Sequence, residues 1–303
     1  MSQPRHTDPL PLGRDGIPYS KGLMARALIA TGMRAVRAYE LARRIDVDLV
    51  ERRADSVDLE RIHELAVEAF GHEEADAALR RLRRFEGLTR LDLPIILLVG
   101  GGTGTGKSTL ATEVAYRLGI SRVTSTDFVR QTMRAFFSRE FMPSVHYSSF
   151  EAGRAVTGVP TDQAIAGFLE QTRNVLVGVG AAMDRALEEG WSMVLEGVHL
   201  VPGMIASAVD DALFIQCVIA VEDEDAHRKR FGYRDEGSEG RRGVDRYLEG
   251  FDAIRAIQSF IVERAREHGV AVIESSDHER SILEVMELVL DAAERIQGVR
   301  TAD

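Results

Sequence analysis

The sequence predicts an α/β fold, a parallel sheet wound with helices and preceded by a small helical region. Three observations predict it. Residues 95–99 (Ile, Ile, Leu, Leu, Val) are continuously apolar without polar alternation, the pattern of a parallel strand buried on both faces. That run passes into GGTGTGKS (residues 101–108) and then into a helical stretch over 108–118, which is the G-x-x-x-x-G-K-[ST] phosphate loop in its strand-to-helix setting. From Pro94 onward, short apolar segments alternate with helical periods, the order that builds a doubly wound sheet.

Residues 1–9, with two prolines and few apolar side chains, read as a disordered tail. Residues 10–90 read as small and mostly helical. The expected helices cover 21–31 (stopped by Gly32), 37–44, 58–70 with Leu59, Ile62, Leu65, Ala66 and Phe70 on one face, and 73–85, capped by Gly87. The basic run Arg80, Arg81, Arg83, Arg84 reads as the solvated face of that last helix. Residues 87–93 form the expected linker, and 91–303 the second domain. Pro94 opens the central strand, where its missing N–H is tolerated.

Beyond the phosphate loop the expected strands are 122–125, 193–195, 213–221 and 271–273, alternating with helices over 128–137, 161–189, 204–209, 225–231, 247–268 and 282–296. Residues 138–160 read as a long irregular loop, and loops of that length inside a compact domain are usually functional.

Composition narrows the classes. With 303 residues, 45% hydrophobic and 28% charged, the chain holds two modest domains or one large one. No apolar run approaches 18 residues, so no membrane span is expected, and the N-terminal residues lack an apolar core for a secretory signal. The single cysteine, Cys217, lies in an apolar run; it reads as a buried thiol, consistent with a cytoplasmic protein. A net charge of −10 argues against a nucleic-acid partner, so an anionic ligand has to be met by a local basic cluster. Of 38 basic residues only Lys21, Lys107 and Lys229 are lysines, which marks the last and first of these, beside Lys107, as candidate phosphate contacts.

The loop glycines let backbone N–H groups surround an anion, and the following helix adds its positive end. Residues Gly101, Gly102, Thr103, Gly104, Thr105, Gly106, Lys107, Ser108 and Thr109 are therefore the expected ATP contacts, with Lys107 on the β- and γ-phosphates and Ser108 on Mg²⁺. In open parallel sheets ligands bind beyond the carboxyl ends of the strands. The next two such ends carry Thr126-Asp127 and Glu196-Gly197-Val-His199. Asp127 reads as a helix N-cap or as a group that orients or deprotonates an acceptor. The spacing Asp127, Arg130, Arg134 puts one carboxylate and two guanidiniums on one helical face, either an anion-binding face or an ion-pair ladder. Glu196 stands where a metal-binding acid is expected; His199 is either a structural histidine or an acceptor contact. His146 and Arg154 are further candidate anion contacts. Residues 227–242 carry Arg228, Lys229, Arg230, Arg234, Arg241 and Arg242 among glycines, which suggests a mobile lid, with Arg230 and Arg234 over the transferred phosphoryl group.

TSTDFVRQTMR (124–134), HYSSFEAG (146–153), LEGVHLVPG (195–203), HRKRF (227–231) and RYLEGFDAIRAIQ (246–258), taken in order behind the phosphate loop, resemble the 2-phosphoglycerate kinases. IPYSKGLMARALIATGM (17–33) with AYELARRID (38–46) is similar to the ATP-cone-type domain that leads that family. The resemblance spans residues 10 to 290. It implies a P-loop kinase with a five-stranded parallel sheet in the order 2-3-1-4-5 and an ATP-cone-like helical domain. It further implies Mg²⁺-dependent transfer of the ATP γ-phosphoryl group to the 3-hydroxyl of 2-phosphoglycerate. Asp127, Arg130, Arg134, Arg154 and His199 are then the expected acceptor contacts, Lys107, Asp127, Arg230 and Arg234 the catalytic groups, and Ser108 and Glu196 the metal ligands. A kinase for another small acid or a sugar would share every nucleotide contact and differ at the acceptor face. A regulator that senses nucleotide through Lys21 would use the P-loop domain as a switch. The N-terminal helices could bind nucleotide, dock a second subunit as a homodimer, or both.

Overall fold

A computed structural model describes residue 12 and residues 19–156, 162–205, 211–238 and 244–300, the side chains of 233–238, 299 and 300 excepted. The chain divides into two compact units. One comprises residues 1–93, 116–120 and 283–303, and the other residues 94–115 and 121–282.

The first unit is helical. α1 (Lys21–Ala30) starts at Ser20, whose side chain accepts from the backbone N–H of Leu23. α2 (Ala35–Arg52) is more than twice the length expected and ends on Arg53 in the left-handed region. α3 (Leu59–Phe70) is capped by Asp58, which accepts from Arg61 N at 2.8 Å. α4 (His72–Arg90) runs through Gly87, which corrects the expected cap there. A Gly inside a helix weakens it; here Gln297 donates to the Gly87 carbonyl at 2.7 Å. Met24, Leu28, Leu41, Ile45, Ile62 and Leu82 are fully buried in this unit. The basic run on α4 is not simply a solvated face, because Arg84 forms ion pairs with Glu287, Asp291 and Glu294.

The second unit is built on the central strand β1 (Ile95–Gly101), buried along its whole length, as the unbroken apolar run requires. α5 (Lys107–Leu118), β2 (Val123–Ser125) and α6 (Thr126–Phe136) follow. The expected irregular loop contains two short 3-10 turns, Pro143–His146 and Ser149–Ala155. Then come α7 (Gln163–Glu188), β3 (Met193–Gly197), β4 (Leu213–Ala220), α8 (Glu224–Ser238), α9 (Val244–Glu249), α10 (Phe251–Glu267), β5 (Ala271–Glu274) and α11 (His278–Arg300). The five strands form one sheet in the order β2-β3-β1-β4-β5, every pair parallel, as the resemblance implied. One apolar layer on this sheet gathers Phe168, Val218, Phe231, Phe251 and Ile257; another gathers Ile96, Leu98, Val175, Leu195 and Leu200.

Two expectations change here. The single helix expected over 247–268 is broken at Gly250, where a Cβ would lie 2.5 Å from the Phe150 ring. The helix expected over 225–231 continues into the Gly-rich stretch expected as a mobile lid and is helical through Ser238. Arg241 and Arg242 lie outside the described residues, as do most of the short helix expected at 204–209 and the N-terminal tail. Cys217 is buried in β4, and burial pushes its thiol up to about 12, so it is an inert side chain. Among the described residues no helix is long and apolar enough to cross a membrane.

Candidate active site

Register places the chemistry. Val99 in β1 pairs with Glu196 in β3, and Glu196 pairs with Ser125 in β2. The carboxyl ends of three adjacent strands therefore lie level, and each is followed by a polar segment. Beyond them opens a cleft of about 460 Å³ whose walls include Thr103, Lys107, Ser108, Asp127, Arg130, Glu196 and Arg246.

The loop after β1 has the expected backbone, with positive φ at Gly101, Gly104 and Gly106. Within it, Thr105 Oγ1 and Lys107 Nζ donate to Gly102 O at 3.1 and 3.2 Å. Two more of its carbonyls are held from α8. His227 Nε2 donates to Thr103 O at 2.8 Å, and Arg230 Nη1 donates to Thr105 O at 2.9 Å and to Ser275 Oγ at 3.0 Å. Burial, and then the charges of Arg255, Arg230 and Lys107, lower the His227 pKa against the opposing hydrogen bond to Thr103, so the ring is a neutral donor. Arg230 was expected over the phosphates; instead its guanidinium braces the loop that would carry them. The backbone of Arg234 lies further along α8.

α6 begins with Ser125, whose Oγ accepts from Phe128 N at 3.0 Å. Ser125, not Asp127, is the N-cap, which leaves the Asp127 carboxylate in the first turn, 65% exposed on the cleft wall. Asp127 Oδ1 accepts from Arg130 Nε at 2.8 Å and lies at the same ion-pair distance from Nη2. The same guanidinium donates through Nη1 to Val145 O at 2.8 Å and Tyr147 O at 2.9 Å. Arg130 is thus nearly buried, with its donors largely committed to the protein. Arg134 is exposed two turns along α6 and does not line the cleft.

His199 is fully buried behind the cleft, which corrects its expected place among acceptor contacts. Gln171 Nε2 donates to Ser144 O at 2.6 Å and Tyr147 O at 3.0 Å, so Gln171 Oε1 is an acceptor. His199 Nε2, 2.9 Å from it, must carry the ring proton, and Nδ1 accepts from the Thr126 hydroxyl at 2.8 Å. Burial first, then the Arg130 and Lys107 charges, push the His199 pKa down to about 3 against the Asp127 charge. Gly197 makes the network possible: its φ is 153°, and a Cβ would stand 1.8 Å from Thr126 Oγ1. Buried polar networks whose members are all satisfied fix one geometry. This one, with Arg130, fixes residues 144–147 and so presents Ser148, Ser149 and Phe150 to the cleft.

Arg154 is not brought to the cleft; it is exposed, paired with Glu151 at 3.2 Å, and lines a neighbouring cavity. His146 Nε2 donates to Phe137 O at 3.0 Å, a carbonyl that can only accept. Lys229 is exposed off the cleft, and Lys21 stands 3.9 Å from Asp46 on α1. Sequence reasoning missed Arg246, which enters the cleft from α9. Its signals were its place just past the Gly-rich stretch and at the head of RYLEGFDAIRAIQ (246–258).

The parallel sheet in this order, with the phosphate loop on its central strand and acids at the neighbouring strand ends, defines a P-loop kinase, an ATP-dependent phosphotransferase. The chain is 39% identical over 264 residues to the 2-phosphoglycerate kinase of Methanothermobacter thermautotrophicus, covering 86% of each. It is 33% identical over 294 residues to that of Pyrococcus furiosus, covering 96% of each. With that of Thermococcus kodakarensis it shares 35% over 277 residues, 89% of this chain and 92% of the other. The chain belongs to the 2-phosphoglycerate kinase family. No family model matches it. A solved chain from Chloroflexus aurantiacus aligns with 65% of this chain at 16% identity and a TM-score of 0.36, too slight a likeness to carry anything further.

Proposed function

We propose that the protein transfers the γ-phosphoryl group of ATP to the free hydroxyl of 2-phosphoglycerate, giving 2,3-bisphosphoglycerate and ADP. The observation that carries this reading is that Lys107 and Ser108 share one cleft with Asp127, so donor and acceptor groups can meet in it. In this reading ATP lies on residues 101–109, with Lys107 on its phosphates. The acceptor oxygen attacks the γ-phosphorus and the bond to the β-phosphate oxygen breaks. The hydroxyl proton passes to the Asp127 carboxylate. Such transfer needs positioning and charge neutralisation rather than covalent chemistry by the protein. Arg234, further along α8, is the remaining candidate for neutralising charge on the transferred group.

The donor set fits Mg²⁺. The Ser108 hydroxyl and the Glu196 carboxylate are hard oxygen ligands on one cleft wall. Among the described residues no cluster of three or more His, Cys, Asp or Glu could hold a metal, which suits an ion that keeps waters and phosphate oxygens as its other ligands. Held by Ser108 and Glu196, the ion would supply positive charge against the phosphates. Residues 10–90, taken as an ATP-cone-like module, would tune this activity.

The test is ADP production from Mg²⁺·ATP with 2-phosphoglycerate, beside 3-phosphoglycerate, glycerate and no acceptor. Stimulation by 2-phosphoglycerate with bisphosphoglycerate formed is expected. Stimulation by another acid alone would discard this acceptor, and stimulation by none would discard the reading.

A further inference from the structure

The cleft wall carries three cations, Lys107, Arg130 and Arg246. Lys107 belongs to the phosphate loop. Arg130 spends Nε and Nη2 on Asp127 and Nη1 on two carbonyls. Arg246 is differently held. Its Nη2 alone makes both of its contacts, to Ser148 Oγ at 2.9 Å and to Glu151 Oε2. Its guanidinium carbon lies 5.9 Å from the centroid of the Phe150 ring. Among the described residues, Nε and Nη1 make no hydrogen bond, and the side chain is 56% exposed.

The anchoring is built. Glu151 has a side chain only 11% exposed and is shared between Arg246 and Arg154. Burial disfavours its ionised form, but the Arg246 hydrogen bond and the two arginine charges outweigh that and hold the carboxyl below its ordinary range. Behind it, the Tyr247 ring stacks on Phe231 at 5.1 Å and packs against Phe150 at 5.7 Å, fixing α9. A guanidinium pinned at one nitrogen keeps an edge for a planar, paired contact with an oxyanion, which a lysine cannot make.

Resting on the proposed reaction, we infer that Arg246 binds an anionic group, phosphate or carboxylate, of the small phosphorylated acid that accepts the phosphoryl group, and that Glu151 and Ser148 hold its guanidinium in place. Arg246 is the specificity-determining residue for the acceptor. Glu151 is a positioning residue that does not touch it.

The test is steady-state kinetics and calorimetric binding of 2-phosphoglycerate, with Mg²⁺·ADP present, for wild type, Arg246→Ala, Arg246→Lys and Glu151→Gln. Arg246→Ala is expected to lower kcat/KM for 2-phosphoglycerate about 100-fold, the scale of two charge-assisted hydrogen bonds, with KM for ATP within about twofold. Arg246→Lys recovers only part of this, and Glu151→Gln raises the acceptor KM about three- to tenfold, again sparing ATP. Unchanged acceptor KM and affinity in Arg246→Ala, or equal losses for ATP and acceptor, would overturn the assignment. Wild type that binds 2-phosphoglycerate without turning it over would overturn the reaction while the variants still decide Arg246. Wild type that does not bind it would overturn both.

Discussion

His199 Nε2 donates to Gln171 Oε1 across 2.9 Å, and the direction is fixed because the Gln171 amide nitrogen is occupied by two carbonyls. The imidazole is therefore held neutral, with its pKa pushed down to about 3 from about 6.5 in an unfolded chain. Between those values the unfolded state binds the extra proton. The contribution of His199 to stability is therefore fully present above about pH 6.5 and falls as pH drops toward 3, by up to about 1.4 kcal/mol per pH unit. The chain's single tryptophan, Trp191, lies beside β3, so its fluorescence reports unfolding of the sheet. Denaturation followed that way should show a steeper acid loss in wild type than in His199→Gln, and parallel curves above pH 7. His227, whose pKa is also lowered, is present in both proteins and cancels in the difference. Equal acid slopes would mean that His199 is not buried neutral.

Arg130 is expected to be worth more to the frame than to the ligand. Its guanidinium satisfies the Val145 carbonyl and shares that of Tyr147. Arg130→Met leaves a buried acceptor unpaired and should cost about 2–4 kcal/mol. The acceptor KM should rise as well, since residues 148–150 lose their support. Stability within about 0.5 kcal/mol of wild type by Trp191 fluorescence would contradict this placement.

Asp127 can be separated from Arg130. Asn at 127 still offers an oxygen to Arg130 but has no carboxylate to take a proton. Asp127→Asn should lower kcat by about 10² to 10⁴, with KM for ATP and the unfolding midpoint little changed. Full turnover by a folded variant would remove the base role.

The features legible in the sequence are those that local physics determines. The apolar run of β1, followed at once by the phosphate loop, reads as a strand buried on both faces, and the phosphate loop carries its own geometry. Acids at strand ends meet because a parallel sheet levels those ends, as the pairing of Val99 with Glu196 and of Glu196 with Ser125 shows. What was not legible depends on residues far away in the chain. Spacing put Arg130 on the same face as Asp127 but could not show that the carbonyls of 145 and 147 would claim it. Gly250 breaks a helix that periodicity carries straight through, because Phe150, a hundred positions earlier, packs there. His199 has the sequence neighbourhood of a site residue, and only burial by α7 takes it out of reach. Arg246 follows a stretch whose periodicity is blurred by glycines, so its helix and its direction were hidden.

The helical unit has its own test in Arg84. Its Nη1, Nη2 and Nε meet Glu287, Asp291 and Glu294 at 2.5, 2.5 and 2.6 Å, and those acids stand at spacings of four and three on one face of α11. Without the guanidinium, three carboxylates face one another along a helix, and each like-charged neighbour destabilises by about 0.2–0.5 kcal/mol. The carboxylates are about half exposed, so water screens the pairs and the whole loss in Arg84→Ala should be about 1–2 kcal/mol. Because this is charge rather than packing, the deficit should shrink in 1 M NaCl, where the screening length falls to about 3 Å. Far-UV circular dichroism is the right probe, since Trp191 belongs to the other unit. A loss that salt leaves untouched would show that Arg84 supports α4 through its aliphatic stem and not through its charge.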